Sequence, residues 1–114
     1  MKIQAFTSRG VHVVSVAGEI ASPEEGAELV RSCEAALDSG VRNLVLDLSE
    51  LEWLDSTGIG AVVRCAKRTA KKDATLKIVV VLPGPVEATL ALAQLDRVFE
   101  VFDDLGSAVG SFPY

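Results

Sequence analysis

Aromatic residues are scarce in this chain. One Trp, one Tyr and four Phe make up 5% of its 114 residues, while 49% are hydrophobic. A core must therefore be assembled from Val, Leu, Ile and Ala, as in a compact globular domain rather than a disordered chain. The length suits one domain, 1–114, and is too short for two. Cysteine is limited to Cys33 and Cys65. Neither has CxxC spacing or a companion histidine, so buried thiols are expected, with no metal and no disulfide. Cations are in deficit, and the net charge of −5 argues against direct nucleic-acid binding. No apolar run approaches the ~20 residues that span a bilayer. The opening Met1-Lys2-Ile3-Gln4 has no signal-peptide apolar region, so a cytoplasmic location is expected. No Gly-Lys-Ser/Thr phosphate loop is present, and no Gly-x-Gly-x-x-Gly follows a strand. Gly58-Ile59-Gly60 alone is too weak a signal, so no cofactor is expected.

What is present alternates between strand and helix patterns. Ile3–Thr7 and Val11–Ala17 read as strands joined by the turn Ser8-Arg9-Gly10, and so short a turn makes them antiparallel. His12, the only histidine, lies between valines on a solvated or edge face, and no chemistry is assigned to it. Ser22-Pro23-Glu24-Glu25 starts a helix, with Ser as cap and Pro first. Leu29, Val30, Cys33, Ala36 and Leu37 form its apolar stripe, and Gly40 stops it. Asn43–Leu48 is a nearly continuous apolar strand, as expected at a sheet centre. A second helix begins near Thr57. Ile59, Val62, Val63, Ala66 and Ala70 are expected to be buried, with Arg64, Lys67, Arg68, Lys71 and Lys72 on the other side. Leu76–Leu82 is a strand broken by Pro83-Gly84-Pro85, which opens a third helix carrying Val86, Leu90 and Ala93. Val98–Phe102 is a short last strand, and Asp104–Ser111 a final helical turn or two. The expected fold is α/β: a mostly parallel sheet of four to five strands, an antiparallel N-terminal strand and three to four helices. The loops Gly18–Ala21, Leu51–Gly60 and Leu82–Pro85 then meet at the carboxyl edge of the sheet.

One stretch stands out: Trp53-Leu54-Asp55-Ser56-Thr57-Gly58-Ile59-Gly60. Asp55 and Ser56 are good helix caps, and the simplest role for Ser56 is that of a cap. Gly58 and Gly60 are poor helix formers whose value in a first turn is an uncovered backbone that a large partner can approach. A hydroxyl is thus presented at a helix N-terminus, where free N–H groups and the dipole favour an anion. A phosphate on Ser56 suits that position. Leu54 and Ile59 are expected mainly in the core, and Trp53 is the better candidate for a partner contact.

Three segments carry a resemblance: Val14–Ile20 (VSVAGEI), Asn43–Gly60 (NLVLDLSELEWLDSTGIG) and Leu95–Val101 (LDRVFEV). Together the chain resembles the STAS domain of bacterial anti-sigma factor antagonists over almost its whole length. The most specific match is aromatic-x-Asp-Ser-Ser/Thr-Gly-hydrophobic-Gly at Trp53–Gly60. The resemblance implies a non-enzymatic regulator whose Ser56 is phosphorylated by an anti-sigma factor that is also a serine kinase. The unphosphorylated form binds that kinase and frees the sigma factor, and a serine phosphatase resets the switch. It implies a partner surface of Ala21, Trp53, Asp55, Ser56, Thr57, Gly58, Ile59 and Gly60. The sequence departs from the family at Ala21, where switching antagonists usually carry Asp; Glu24 and Glu25 follow but start a helix. That departure leaves a second reading, a constitutive STAS adaptor in a signalling or transporter complex with Ser56 unmodified. A third, a small-ligand or nucleotide-binding domain, has no supporting motif.

Overall fold

In the computed structural model, which describes residues 1–113, strands β1 (Lys2–Ser8) and β2 (Val11–Gly18) pair antiparallel, with Ser8 opposite Val11. Tyr114, the last residue of the expected domain, lies outside the described residues. Arg9 and Gly10 both have positive φ, +49° and +77°, the signature of a two-residue hairpin turn that matches strand twist. Helix α1 (Pro23–Asp38) follows, then β3 (Asn43–Leu51), α2 (Ser56–Lys71), β4 (Thr75–Val79) and α3 (Pro85–Leu92). A 3-10 turn at Leu95–Arg97, β5 (Glu100–Phe102) and α4 (Leu105–Gly110) complete the described order. The sheet runs β1-β2-β3-β4-β5, with β2 to β5 parallel.

Alternation along the strands divides the core in two. Val14, Val16, Leu44, Leu46, Leu48 and Ile78 face a layer made by α1, α2 and α3. Val11, Val13, Val45 and Val79 face α4, where Ala108, Val109 and Phe112 cover them. Lys77 points to this second side and is 5% exposed. Its ammonium donates to Ser111 Oγ at 2.8 Å and lies 4.4 Å from the Phe112 ring centroid, tying the C-terminal segment to the sheet. Cys33 and Cys65 are both buried between α1 and α2. The hydrogen bond with Cys33 and then burial push the Cys65 thiol up, away from the reactive thiolate.

Several sequence expectations need correction. The buried stripe of α2 is Gly58, Ala61, Val62, Cys65 and Thr69. Ile59, Val63 and Ala66 are only half-buried and Ala70 is exposed. The helix is apolar on two adjacent stripes, and the sheet takes the one that includes Cys65 and Thr69. Thr69 is satisfied there by donating to the Cys65 carbonyl at 2.7 Å. Strand β4 stops at Val79, so Val81 and Leu82 project as loop. The last strand shrinks to Glu100–Phe102 because residues 95–97 take a 3-10 turn. Ala93, expected on the third helix with Val86 and Leu90, is its exposed C-cap, since α3 ends at Leu92. His12 is half-buried on β2, an interior strand, so it is on no sheet edge.

The start of α1 explains why Glu25 is engaged. Ser22 Oγ accepts from the Glu25 N–H at 3.2 Å. The Glu25 carboxylate turns back and accepts from the Ala21 N–H at 2.8 Å, a capping box displaced by one residue. Its other oxygen lies 3.2 Å from the Met1 ammonium. The Ala21 amide first, then the ammonium, hold the Glu25 carboxyl below the usual carboxylate range.

Two glycines in α2 differ in role. Gly58 is buried, and a Cβ there would collide with Leu54 Cδ1 and meet Ile20 Cδ1 at 3.5 Å. Packing, rather than access alone, requires glycine at 58. At Gly60 a Cβ meets nothing within 4 Å.

Two predictions follow from these contacts. Gly60→Ala should raise stability by up to ~1 kcal/mol through helix propensity. Gly58→Ala should lower it, since overpacking, typically ~1–3 kcal/mol, outweighs the same gain. Thermal unfolding of both variants checks this, and a rise in both melting temperatures would contradict the packing at Gly58. Because the folded Glu25 pKa is depressed, its stabilisation is present above the unfolded value of about 4.5 and is lost as pH falls through the folded value. The stability difference between wild type and Glu25→Gln, from urea unfolding, should shrink as pH drops below that value. A pH-independent difference would show that the charge plays no part.

Candidate functional site

The site is built where β2 and β3 end. Their parallel register runs from His12 opposite Leu44 to Ser15 opposite Asp47, then shifts, so that Ala17 faces Glu50 and Gly18 faces Leu51. This bulge carries β3 three residues past its expected end at Leu48. The extra residue restores Leu51 to the core side, where it is 6% exposed. Immediately beyond, the Glu52 N–H donates to the Gly18 carbonyl at 2.7 Å. The loops after β2 and β3 are thereby locked together.

The next residues alternate between holding the loop and facing out. Trp53 Nε1–H donates to the Glu19 carboxylate, and the ring remains 45% exposed. Leu54 turns inward, 6% exposed, against Gly58. Asp55 is the N-cap of α2: its Oδ1 accepts from the Thr57 N–H at 3.0 Å and the Gly58 N–H at 3.2 Å. Ser56 is the first helical residue and is exposed. Asp55, not Ser56, satisfies the first-turn N–H groups, so among the described residues the Ser56 hydroxyl has no protein partner. The first turn itself contains no acidic residue, so the carboxylate facing the positive end of the helix dipole is that of the capping Asp55.

The structure brings most of the expected residues together. Trp53 and Ser56 are exposed; Asp55, Thr57, Ile59 and Gly60 are half-buried beside them, and Gly58 lies beneath. Ile20 Cδ1 stands 3.5 Å from where a Cβ on Gly58 would lie, and the next residue, Ala21, is exposed. Glu25 is occupied by the Ala21 amide and the Met1 ammonium, so it does not stand in for a carboxylate at position 21. Glu19 was missed by sequence reasoning. Its contact with Trp53 crosses 34 positions, and no local pattern signals it. Val81, 54% exposed, was hidden inside an apolar run read as strand, while Leu82, 42% exposed, was expected to open the Leu82–Pro85 loop. They follow β4, whose parallel pairing with β3 brings Val79 opposite Asp47 and puts this loop on the same edge. His12 is at the other end of β2, so no Ser–His pair forms with Ser56. Among the described residues no three of His, Cys, Asp and Glu are grouped to hold a metal ion. No helix among them is long and apolar enough to cross a membrane.

Known proteins resemble this chain in sequence and fold. An anti-sigma F factor antagonist of Paenibacillus polymyxa is 25% identical over 104 residues, which cover 91% of this chain and 88% of that protein. The crystal structure of an anti-sigma factor antagonist from Mycobacterium paratuberculosis superposes with a TM-score of 0.84 at 26% identity, covering 96% of this chain and 92% of the other. The phosphorylated form of the Bacillus cell fate determinant SpoIIAA shares the fold, with a TM-score of 0.71 at 16% identity over 96% of this chain and 97% of its own. The family model described as the STAS domain matches residues 2–108, and with the sheet order and the Trp53–Gly60 loop in place, this chain belongs to the STAS domain family.

Proposed function

We propose that the chain is an anti-sigma factor antagonist, a cytoplasmic, non-enzymatic regulator that works by partner switching at Ser56. One observation carries this reading: the Ser56 hydroxyl is exposed at the start of α2 while Asp55 alone makes the cap. The names of the relatives support the antagonist role. The partner in this reading is an anti-sigma factor with serine kinase activity, and a serine phosphatase reverses the modification.

The chemistry of the switch is local. Phosphorylation adds about −1.5 to −2 charges at pH 7 and a strongly hydrated group. The Asp55 carboxylate keeps the cap N–H groups, and a phosphate on the exposed Ser56 stays in water with the helix dipole offsetting part of its charge, so the fold need not change. A docked partner must desolvate it instead. A loss of a few kcal/mol, at ~1.4 kcal/mol per tenfold, removes a micromolar complex. Trp53 supplies rigid apolar area beside the serine. In this reading Ala21, Asp55, Thr57, Ile59 and Gly60 complete the contact, with Gly58 shaping it from below.

A second reading, a constitutive adaptor with Ser56 unmodified, is favoured by Ala21. No side chain at that position offers a charged contact, and Glu25 is committed elsewhere.

Two sets of variants separate the readings. Ser56→Ala should keep the fold, at a cost within ~0.5 kcal/mol because the cap is Asp55. It should also keep kinase binding and abolish phosphate incorporation, while Ser56→Asp should weaken binding. Mass spectrometry after incubation with the cognate kinase checks this, and phosphate on Thr57 or on no residue would contradict it. Ala21→Asp should speed phosphorylation or tighten kinase binding. A charge-assisted hydrogen bond typically contributes ~1.5–3 kcal/mol, and Ala21 makes none. Equal initial rates and dissociation constants for both forms would take position 21 out of the contact.

A further inference from the structure

The second apolar stripe of α2 is only partly covered by the fold: Ile59 and Ala66 touch the main core from its margin, Val63 is half-buried and Ala70 is exposed. Ile59, Val63, Ala66 and Ala70 recur at four-, three- and four-residue steps, the spacing by which one helix packs along another. Beside the stripe runs the segment 95–99, with Val98 68% exposed and Phe99 half-buried. Between them lie two cavities of about 290 and 280 Å³ that share Ala66, Ala70, Val98 and Phe99 and so form one trough. The alanines keep its floor low enough for a helix to approach closely.

Charge distinguishes the two flanks of α2. Five of the eleven Lys and Arg of this acidic chain fall between Arg64 and Lys72. On the α1 side Arg68 lies 3.3 Å from Glu34 and Lys72 3.5 Å from Asp38, while Arg64, beside Gly26 of α1, has no carboxylate within 4 Å among the described residues. Lys67 lines the trough and Lys71 follows one turn later. Among the described residues neither has a carboxylate within 4 Å. An apolar floor with one unpaired cationic flank is complementary to an amphipathic helix that carries acidic side chains along one edge.

We infer that the trough between α2 and residues 95–99 is a second docking site, and that its occupant is an acidic amphipathic helix of a protein partner. Such a helix lays its apolar stripe over Val63, Ala66, Ala70 and Val98 and its carboxylates against Lys67 and Lys71. The stripe begins at Ile59, one turn from Ser56, so one partner spanning both sites gains from linkage. The trough itself makes no use of the Ser56 hydroxyl, and its binding is independent of the switch.

The test uses the full chain and two designed three-heptad helical peptides with leucine at the a and d positions, one flanked by glutamate and the other by lysine. In NMR titrations the acidic peptide should shift the amides of Val63, Ala66, Ala70 and Val98, with a Kd that rises with salt. Val98→Asp should weaken it at least about tenfold. Lys67→Glu with Lys71→Glu should weaken it similarly and transfer preference to the lysine-flanked peptide. Ser56→Asp, which should disturb kinase docking, should leave the peptide Kd unchanged; this separates failure of the trough from failure of the switch. Shifts confined to other surfaces, equal binding of both peptides to the wild type, or no shift up to about 1 mM peptide would overturn the proposal. So would sedimentation showing that the trough is covered by a second copy of the chain.

Discussion

The parallel pairing of β2 with β3 carries the rest of the site. It places Gly18 beside Leu51, and the bond from the Glu52 N–H to the Gly18 carbonyl closes the two following loops against each other. From that point the chain has few choices. Trp53 reaches across to Glu19, Leu54 drops into the core, and α2 must begin where its first turn seats on Leu54 and Ile20. A shift of one residue in this register would turn Leu51 and Leu54 toward water and carry Ser56 to another face of the edge. The bulge at Ser15/Ala17 matters for this reason, because it sets the side on which the loop leaves the sheet.

The start of α2 divides capping and exposure between adjacent residues. Asp55 satisfies the free N–H groups of Thr57 and Gly58. Ser56 is thereby relieved of any role in holding the helix, and its hydroxyl faces outward. A residue that anchored the fold could not be modified without loosening it. The glycines divide similarly: Gly58 admits Leu54, whereas Gly60 leaves open surface. A charge added at Ser56 meets the positive end of the helix, and the energetic consequence falls on whatever docks there.

Much of this was legible in the sequence because it rests on local rules. Ser22-Pro23 marks the start of α1 through its cap and fixed φ, and the valine run of β2 and the apolar run of β3 announce interior strands. The strand–helix alternation, with right-handed crossovers, then leaves little freedom in topology. What failed was tertiary. Val63, Ala66 and Ala70 are as apolar as Ala61 and Cys65, and composition does not say which stripe the sheet will take. Nor does it anticipate that a polar Thr69 can be buried by bonding its own helix. The end of β3 at Leu51 depends on a bulge with no sequence signature here, and the Glu19–Trp53 contact spans the fold. The Trp53–Gly60 loop was legible as a helix start because cap chemistry and glycine spacing are themselves local. The choice of Asp55 over Ser56 as the cap needed coordinates.

The most direct measurement of the account is hydrogen exchange in a complex between this protein and the proposed anti-sigma factor kinase. Amides at the carboxyl edge of the sheet, residues 18–21 and 52–60, should gain protection on binding. The β1–β2 turn at Arg9-Gly10, at the opposite end of the sheet, should not change. Protection centred on that turn, with residues 52–60 still exchanging freely, would contradict the assignment of the Ser56 edge as the surface on which partners are exchanged.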